Sequence, residues 1–237
     1  MKTSNSIKTS IILSTFNEEV AIEKTINQIL LHIDHVEIIV VDDNSTDKTL
    51  EILLGIKNER VKVFSRTKTK GLASAFLLGL IHTNGDVIGW VDSNMTETVK
   101  LFPDMIKNLD ENDIVILSRY VKGGKDQRNI VRKYSSYFLN KITKLVLRSK
   151  INDLSSGIFV MKRNVLLDVT PIASGHGEFM IEFLYKAEIK NNKIKELAYT
   201  QPVDEEGNSK SFPNFFKFSI LGFFYFVRIL QTLIRRY

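Results

Sequence analysis

The sequence predicts an α/β protein with an open, largely parallel sheet and helices on both faces. Three observations carry that expectation. Short apolar, β-branched runs recur at residues 11–14, 36–41, 61–64, 87–91 and 114–117, and read as buried strands. Stretches with helical spacing, about 18–31, 47–57, 71–82 and 98–109, fall between them. The alternation of strand and helix runs unbroken through the first half, which is the order that builds a parallel sheet.

Taken in chain order, the first strand ends in Ser14-Thr15-Phe16-Asn17-Glu18-Glu19 and runs into the first helix. The second ends in Asp42-Asp43-Asn44-Ser45-Thr46-Asp47, and Asn44, Ser45 and Asp47 are good N-cap choices for the helix that follows. The third strand leads through Arg66 to the helix at 71–82. The fourth ends in Asp92-Ser93-Asn94, and the fifth closes the regular part. Residues 119–205 read as mixed α and β within the same domain. No internal repeat or low-complexity linker interrupts them. The one hinge, residues 209–214 with Pro213, divides a domain of residues 1–210 from a tail of residues 211–237.

Composition narrows the function. The 237 residues are 43% hydrophobic and 25% charged, which excludes a disordered, collagen-like or coiled-coil chain. Without cysteine there are no disulfides, thiolate nucleophiles or Cys-based zinc sites, as fits a reducing compartment. The apolar run behind Lys2 and Lys8 is too short for a signal-peptide core, so a cytoplasmic location is expected. The net charge is +6, but no Asp or Glu occurs after Glu206, where five cations lie. The first 206 residues therefore carry only +1, and a nucleic-acid surface is not expected.

In open parallel sheets ligands bind beyond the carboxyl ends of the strands. Three such ends here present carboxylates, so they converge on one rim. Acidic groups beside helix N-termini suit a nucleotide ribose and base, with a hard cation holding phosphates. The alternative for Asn17, Asp43 and Asp47 taken singly is that each caps backbone amides. Other motifs are missing. There is no Gly-x-Gly-x-x-Gly after a strand, no Walker loop and no Gly-x-Ser-x-Gly elbow, and the four histidines lack metal-ligand spacing.

The residues then match a known family. Thr15-Phe16-Asn17-Glu18 resembles its Thr-Tyr-Asn-Glu, and Asp42-Asp43-Asn44-Ser45-Thr46-Asp47 its Asp-Asp-x-Ser-x-Asp. Lys70-Gly71-Leu72-Ala73-Ser74-Ala75, preceded by Arg66, is similar to its Lys-Gly-Leu-Gly-x-Ala helix start. Ser118-Arg119-Tyr120-Val121-Lys122-Gly123-Gly124 and Asp153-Leu154-Ser155-Ser156-Gly157 resemble two further signatures. By these motifs, in order from about residue 11 to 210, the chain resembles GT-A fold, Rossmann-like family 2 glycosyltransferases, and among them the dolichol-phosphate (polyprenyl-phosphate) mannose synthases.

The resemblance implies inverting transfer of a hexose, mannose from GDP-mannose, to a polyprenyl phosphate. It places Thr15, Phe16, Asn17, Glu18, Asp43, Lys70, Gly71, Asp92, Ser93 and Asn94 on the nucleotide sugar. It gives Asp92, Asn94 and Thr96 to a divalent cation, Mg²⁺ or Mn²⁺. Arg119, Arg132, Ser156 and Lys210 would meet the lipid phosphate, and Asp92, Arg119 and Arg132 would be catalytic. Asp153 and Ser156 equally suit a turn, and the alternative for Arg119 and Arg132 is that they are surface cations on loops. Relatives of this short type lack transmembrane segments, and some recruit a small membrane subunit.

The pattern also breaks. The family's second metal-site aspartate is Asn94, which removes a negative charge and should weaken metal binding. Glu205 stands where an arginine is expected, and Leu117 where a glycine is usual. A UDP-sugar-dependent transferase, such as a polyprenyl-phosphate glucose synthase, and a non-catalytic membrane-bound homologue therefore stay open.

The tail from residue 212 holds nine of the 23 aromatic residues. Only ten uncharged residues separate Lys217 from Arg228, too few to span a bilayer, which needs roughly 20. At about 100° per residue Lys217, Arg228, Gln231, Thr232 and Arg235 share one face, opposite Ile220, Phe223, Phe226, Val227, Leu230 and Leu233. This predicts an amphipathic helix lying in a membrane interface through residues 212–237, as in a peripheral or monotopic protein on the cytoplasmic face. The other reading is a helix packed on the core.

Overall fold

A computed structural model describes residues 8–68, 70–172, 174–203 and 215–235. The proposed hinge at 209–214, Glu205 and Lys210 lie outside the described residues. β1 (Thr9–Thr15), β2 (Val36–Asp42), β3 (Val61–Ser65), β4 (Val87–Asp92) and β5 (Ile114–Ser118) fall on the five expected strands. α1 (Ile22–His32), α2 (Thr49–Gly55), α3 (Leu72–Ile81) and α4 (Phe102–Asn108) follow the first four of them, with a 3₁₀ turn (Thr96–Leu101) ahead of α4. α1 starts later than its spacing suggests. Asn17 takes a left-handed φ of 54°, and residues 18–21 spend a turn re-aiming the chain.

The second half adds β6 (Lys125–Asp126), α5 (Ile130–Leu147), β7 (Phe159–Lys162), α6 (Val165–Asp168), α7 (Phe179–Ile189), β8 (Ile194–Ala198), β9 (Thr200–Gln201) and α8 (Phe215–Ile234). The seven-stranded sheet has the order β3-β2-β1-β4-β7-β5-β8, while β6 and β9 form a separate ribbon. Every neighbour in the sheet is parallel except β7, which runs antiparallel to both β4 and β5. The chain moves outward from β1 through β2 to β3, then returns to lay β4 on the other side of β1. That reversal opens a crevice beyond the carboxyl ends of β1 and β4, where Ser14 is in register with Asp92.

Alternate residues of β1 serve opposite layers. Ile11 and Leu13 pack with Ile22, Ile26, Phe102 and Met105, on the side of α1 and α4. Ile12 packs with Phe76, Trp90, Phe159 and Phe183, on the side of α3 and α7. Phe76 lies 4.2 Å from Trp90 between ring centroids. Each such side chain contributes on the order of 1.5–3 kcal/mol by its burial.

Two helices invert the usual arrangement. α5 buries Asn140, Thr143 and Leu147 while Ile130, Tyr134, Phe138, Ile142 and Leu145 face solvent. Asn140 is satisfied inside, donating to Ser155 Oγ (2.8 Å) and accepting from Ser155 N (3.1 Å). α8 buries Arg228, Ile229 and Thr232 and leaves Phe223, Phe224, Phe226 and Leu230 exposed. Of the polar face expected of the tail, Arg228 and Thr232 are turned to the protein together with the apolar Ile229, while Arg235 stays half exposed.

Candidate active site

The loops after β1 and β2 are laced together by backbone amides on side chains. Asn17 Oδ1 accepts from Thr46 N (2.7 Å), and Asn17 N donates to Ser45 Oγ (2.9 Å). Glu18 N donates to Thr49 Oγ1 (2.7 Å). Asp47 accepts from Thr49 N (3.0 Å) one residue ahead of the N-cap, which is Lys48, whereas Asn44 turns at φ 59°. Burial would raise the Asp47 carboxyl, but the hydroxyl and amide of Thr49 and the amide of Glu19 hold it below its ordinary value.

Asp43 reaches across to the third crossover. It accepts from Arg66 Nε (2.7 Å), from Arg66 Nη2 and from Gly71 N (2.8 Å). Arg66 also donates to Ser74 Oγ at 2.9 Å. Asn17, Asp43 and Asp47 thus each satisfy a backbone amide, and Asp43 is paired with Arg66 besides. Those bonds also hold the loops open at the rim. There Phe16 is 36% exposed, with Lys70 Nζ 5.0 Å from its ring centroid.

At the end of β4, Asp92 and Asn94 are exposed and Ser93 is buried. The Ser93 carbonyl accepts from Thr25 Oγ1 (2.7 Å), and Thr96 Oγ1 shares a 2.7 Å bond with the same hydroxyl. Thr96 thus ties the strand end to α1. No group of three or more His, Cys, Asp or Glu able to hold a metal occurs among the described residues. What this end offers is one carboxylate and one amide oxygen. Such hard donors fit a cation held mainly by a bound diphosphate, since Mg²⁺ is commonly bound by one or two carboxylates plus substrate phosphates.

The third cluster follows β5. Arg119 is not a surface cation: its guanidinium is buried at the back of the cleft that it lines. It donates to Asp153 through Nε (2.8 Å) and Nη2 (2.7 Å), and to Ser155 Oγ (2.9 Å). Burial would lower the Arg119 pKa, but the charge and hydrogen bonds of Asp153 raise it above its ordinary value. Ser156 donates to the Leu117 carbonyl at 2.6 Å, so it and Asp153 shape the turn. Arg132, half-buried in the first turn of α5, caps through its amide on Asn129 Oδ1 (3.0 Å). Arg128 donates to Asp126 through Nε (2.9 Å) and Nη2 (2.6 Å). Burial would raise the Asp126 carboxyl, yet Arg128 and, less strongly, Arg119 hold it low.

All three clusters open into a single cleft of about 1320 Å³. Each candidate residue among the described positions lines it: Thr15, Phe16, Asn17, Glu18, Asp43, Lys70, Gly71, Asp92, Ser93, Asn94, Thr96, Arg119, Arg132 and Ser156. Sequence reasoning missed Arg128, His176, Tyr199, Gln201 and Tyr225, which line it too. Arg128 had a usable signal, two residues after Asp126 and directly before the Asn129 cap. Tyr225 had none, because the tail was read as a device apart from the site.

A mostly parallel sheet with a reversed strand, and acidic loops at its switch point, puts the chain among α/β proteins of the GT-A fold. It belongs to glycosyl transferase family 2, whose model matches residues 10–170. The chain is 33% identical over 215 residues to the dolichol-phosphate mannosyltransferase of Pyrococcus furiosus, covering 86% of this chain and 59% of that protein. It is 23% identical to the dodecaprenyl-phosphate galacturonate synthase of Rhizobium johnstonii, again over 86% of this chain and 62% of that protein. It is also 26% identical to the dolichol-phosphate mannosyltransferase of Saccharomyces cerevisiae, over 86% of this chain and 81% of that protein. The chain thus spans about 60% of the length of the first two relatives. Its fold matches glucosyl-3-phosphoglycerate synthase from Mycobacterium tuberculosis, solved with Mn²⁺, UDP and glucosyl-3-phosphoglycerate. The TM-score is 0.75 at 19% identity, over 95% of this chain and 80% of that one.

Proposed function

We propose that this chain transfers a hexose, mannose from GDP-mannose, to a polyprenyl phosphate at a membrane surface, with inversion. The observation that carries the reading is one cleft lined by the Phe16–Lys70 rim, the Asp92–Asn94 strand end, and Arg128 and Arg132. The relatives' names supply the polyprenyl-phosphate class of acceptor and the mannosyl group. α5 contributes Arg132 and Phe138 to the cleft and α8 contributes Tyr225, so the apolar outer faces of both helices border its mouth. No helix among the described residues is long and apolar enough to cross a membrane. The proposal includes interfacial docking through these apolar faces, on the cytoplasmic face, with a small membrane subunit as a further partner.

The chemistry follows from charge. A lipid monophosphate, with a second pKa of about 6, is already anionic near neutrality and needs no general base. Phe16 stacks the base, and the loops around Asp43 and Glu18 take the ribose. Asp92 and Asn94 would hold a divalent cation, which when bound would supply Lewis-acid stabilisation to the departing diphosphate. Arg128 and Arg132 offset repulsion between the two phosphate groups, and Lys210 is proposed to join them. Arg119, through Asp153 and Asp126, positions the segment that presents Arg128. A single in-line displacement at the anomeric carbon needs no covalent enzyme intermediate.

The test is radiolabelled transfer into organic-extractable lipid, with polyprenyl phosphate, Mg²⁺ or Mn²⁺, and GDP-mannose or UDP-glucose in parallel. Metal-dependent label from GDP-mannose is the expected result. Label from UDP-glucose alone transfers the reading to the UDP-sugar branch. A folded, vesicle-bound protein that labels nothing overturns it in favour of a non-catalytic homologue.

A further inference from the structure

We propose that α8 is a wall of the cleft as well as its outer apolar rim, with Arg228 the positioning residue that clamps it in place. The proposal rests on the transfer reading above and concerns how the same cleft is closed.

Arg228 is buried in contact with two elements that α8 does not follow in sequence. Its Nη1 donates to Glu182 Oε2 on α7 (3.1 Å), and its Nη2 to the Ser174 carbonyl (2.9 Å) and Ser174 Oγ (3.2 Å). The side chains of Arg228 and Glu182 retain 8% and 1% of their exposure. Glu182 collects two more cations, Lys186 at 2.8 Å and Arg235 at 3.8 Å. One buried carboxylate thus takes charge from α7, from α8 and from Arg235 just beyond its end. An uncompensated ion there is costly, so α8 has one strongly preferred seat.

The segment that Arg228 grips reaches the donor side of the cleft. The Gly175 carbonyl accepts from Ala73 N (3.4 Å), two residues after the Gly71 whose amide meets Asp43. His176 and Gly177 line the cleft, as does Tyr225, one turn before Arg228.

The two glycines of Ser174-Gly175-His176-Gly177-Glu178 have separate reasons. Gly175 has φ +103°, a region that strains other residues. Gly177 has an ordinary φ, but a Cβ there lies 2.7 Å from Tyr225 Oη. Glycine at 177 is a matter of space for the tyrosine. The segment is therefore shaped to receive α8, and the helix that faces outward with Phe223 and Phe226 faces inward with Tyr225 and Arg228.

The test uses the full chain and a water-soluble short-chain prenyl phosphate, which removes the need for anchoring. Gly177→Ala pushes Tyr225 aside, and kcat with the soluble acceptor falls about tenfold or more, with vesicle binding and melting temperature unchanged. Adding Tyr225→Phe restores transfer, because the colliding atom is the hydroxyl and the ring Cζ is 3.9 Å from the same Cβ. Arg228→Ala accelerates hydrogen exchange across 174–182 and leaves β1–β3 unchanged, and Arg228→Lys lies between. Parental transfer in Gly177→Ala overturns the proposal. So does Arg228→Ala with parental exchange at 174–182, or with transfer lost only in proportion to vesicle binding. If the parent transfers no sugar, the functional reading fails, and the exchange comparison still decides the wall.

Discussion

Arg119 and Arg132 look equivalent in the sequence, each an arginine placed by a family signature, and the fold separates them. Arg119 is locked to Asp153, which has no solvent exposure, whereas Arg132 lines the cleft from the first turn of α5. Arg119→Ala leaves Asp153 buried without its partner and lowers stability by about 3–5 kcal/mol in urea unfolding. Arg132→Ala changes stability by no more than about 0.5 kcal/mol while transfer falls sharply. The motif in the sequence located both side chains but could not say which one is held by a carboxylate. That depends on Asp153, 34 residues further along the chain, lying against Arg119. A second prediction concerns Asn94. Asn94→Asp restores a carboxylate beside Asp92, and lowers the Mg²⁺ concentration for half-maximal transfer.

Among the elements, β2 carries a charge at its buried start. Glu37 accepts from Ser10 Oγ (2.7 Å), Asn84 N (2.5 Å) and Lys62 Nζ (3.1 Å), tying β2 to β1, β3 and the turn before β4. Burial would raise its carboxyl, but the Ser10, Asn84 and Lys62 bonds lower it from 4.5 to about 2. A carboxyl lowered on folding gives stability that is present above its unfolded pKa. It is lost as pH falls through the folded one. Thermal melts should therefore drop between pH 4.5 and about 2, and Glu37→Gln should be less stable at pH 7 and flatter across that window. α5 shows why the second half was harder to read. Its amphipathic pattern is present in the sequence, but Asn140 and Thr143 lie on the protein side and the aromatics outside. Period alone marks two faces without saying which one meets protein. Asn140→Leu removes both bonds to Ser155 and lowers stability by about 1–3 kcal/mol in the same urea assay.

At the scale of the whole molecule, the outer faces of α5 and α8 border one mouth. Phe138→Ser and Phe226→Ser should each weaken binding to liposomes, measured by co-sedimentation. Together they should cut transfer to a long-chain polyprenyl phosphate more than to a short-chain one, with melting temperature unchanged. If both acceptors lose equally, the apolar faces serve something other than lipid delivery.

What the sequence determined by itself is the local part. Five strands, four of them buried and β3 a half-exposed edge, the alternating helices and the acidic strand ends are set by neighbours a few residues apart, and periodicity and capping chemistry read such neighbours directly. The antiparallel insertion of β7 between β4 and β5, the burial of Arg119 and the inward turn of Arg228 were decided by tertiary structure. Each depends on a carboxylate or strand edge tens of residues away. A buried charge settles where its distant partner lies, and hydrophobic pattern carries no record of that partner.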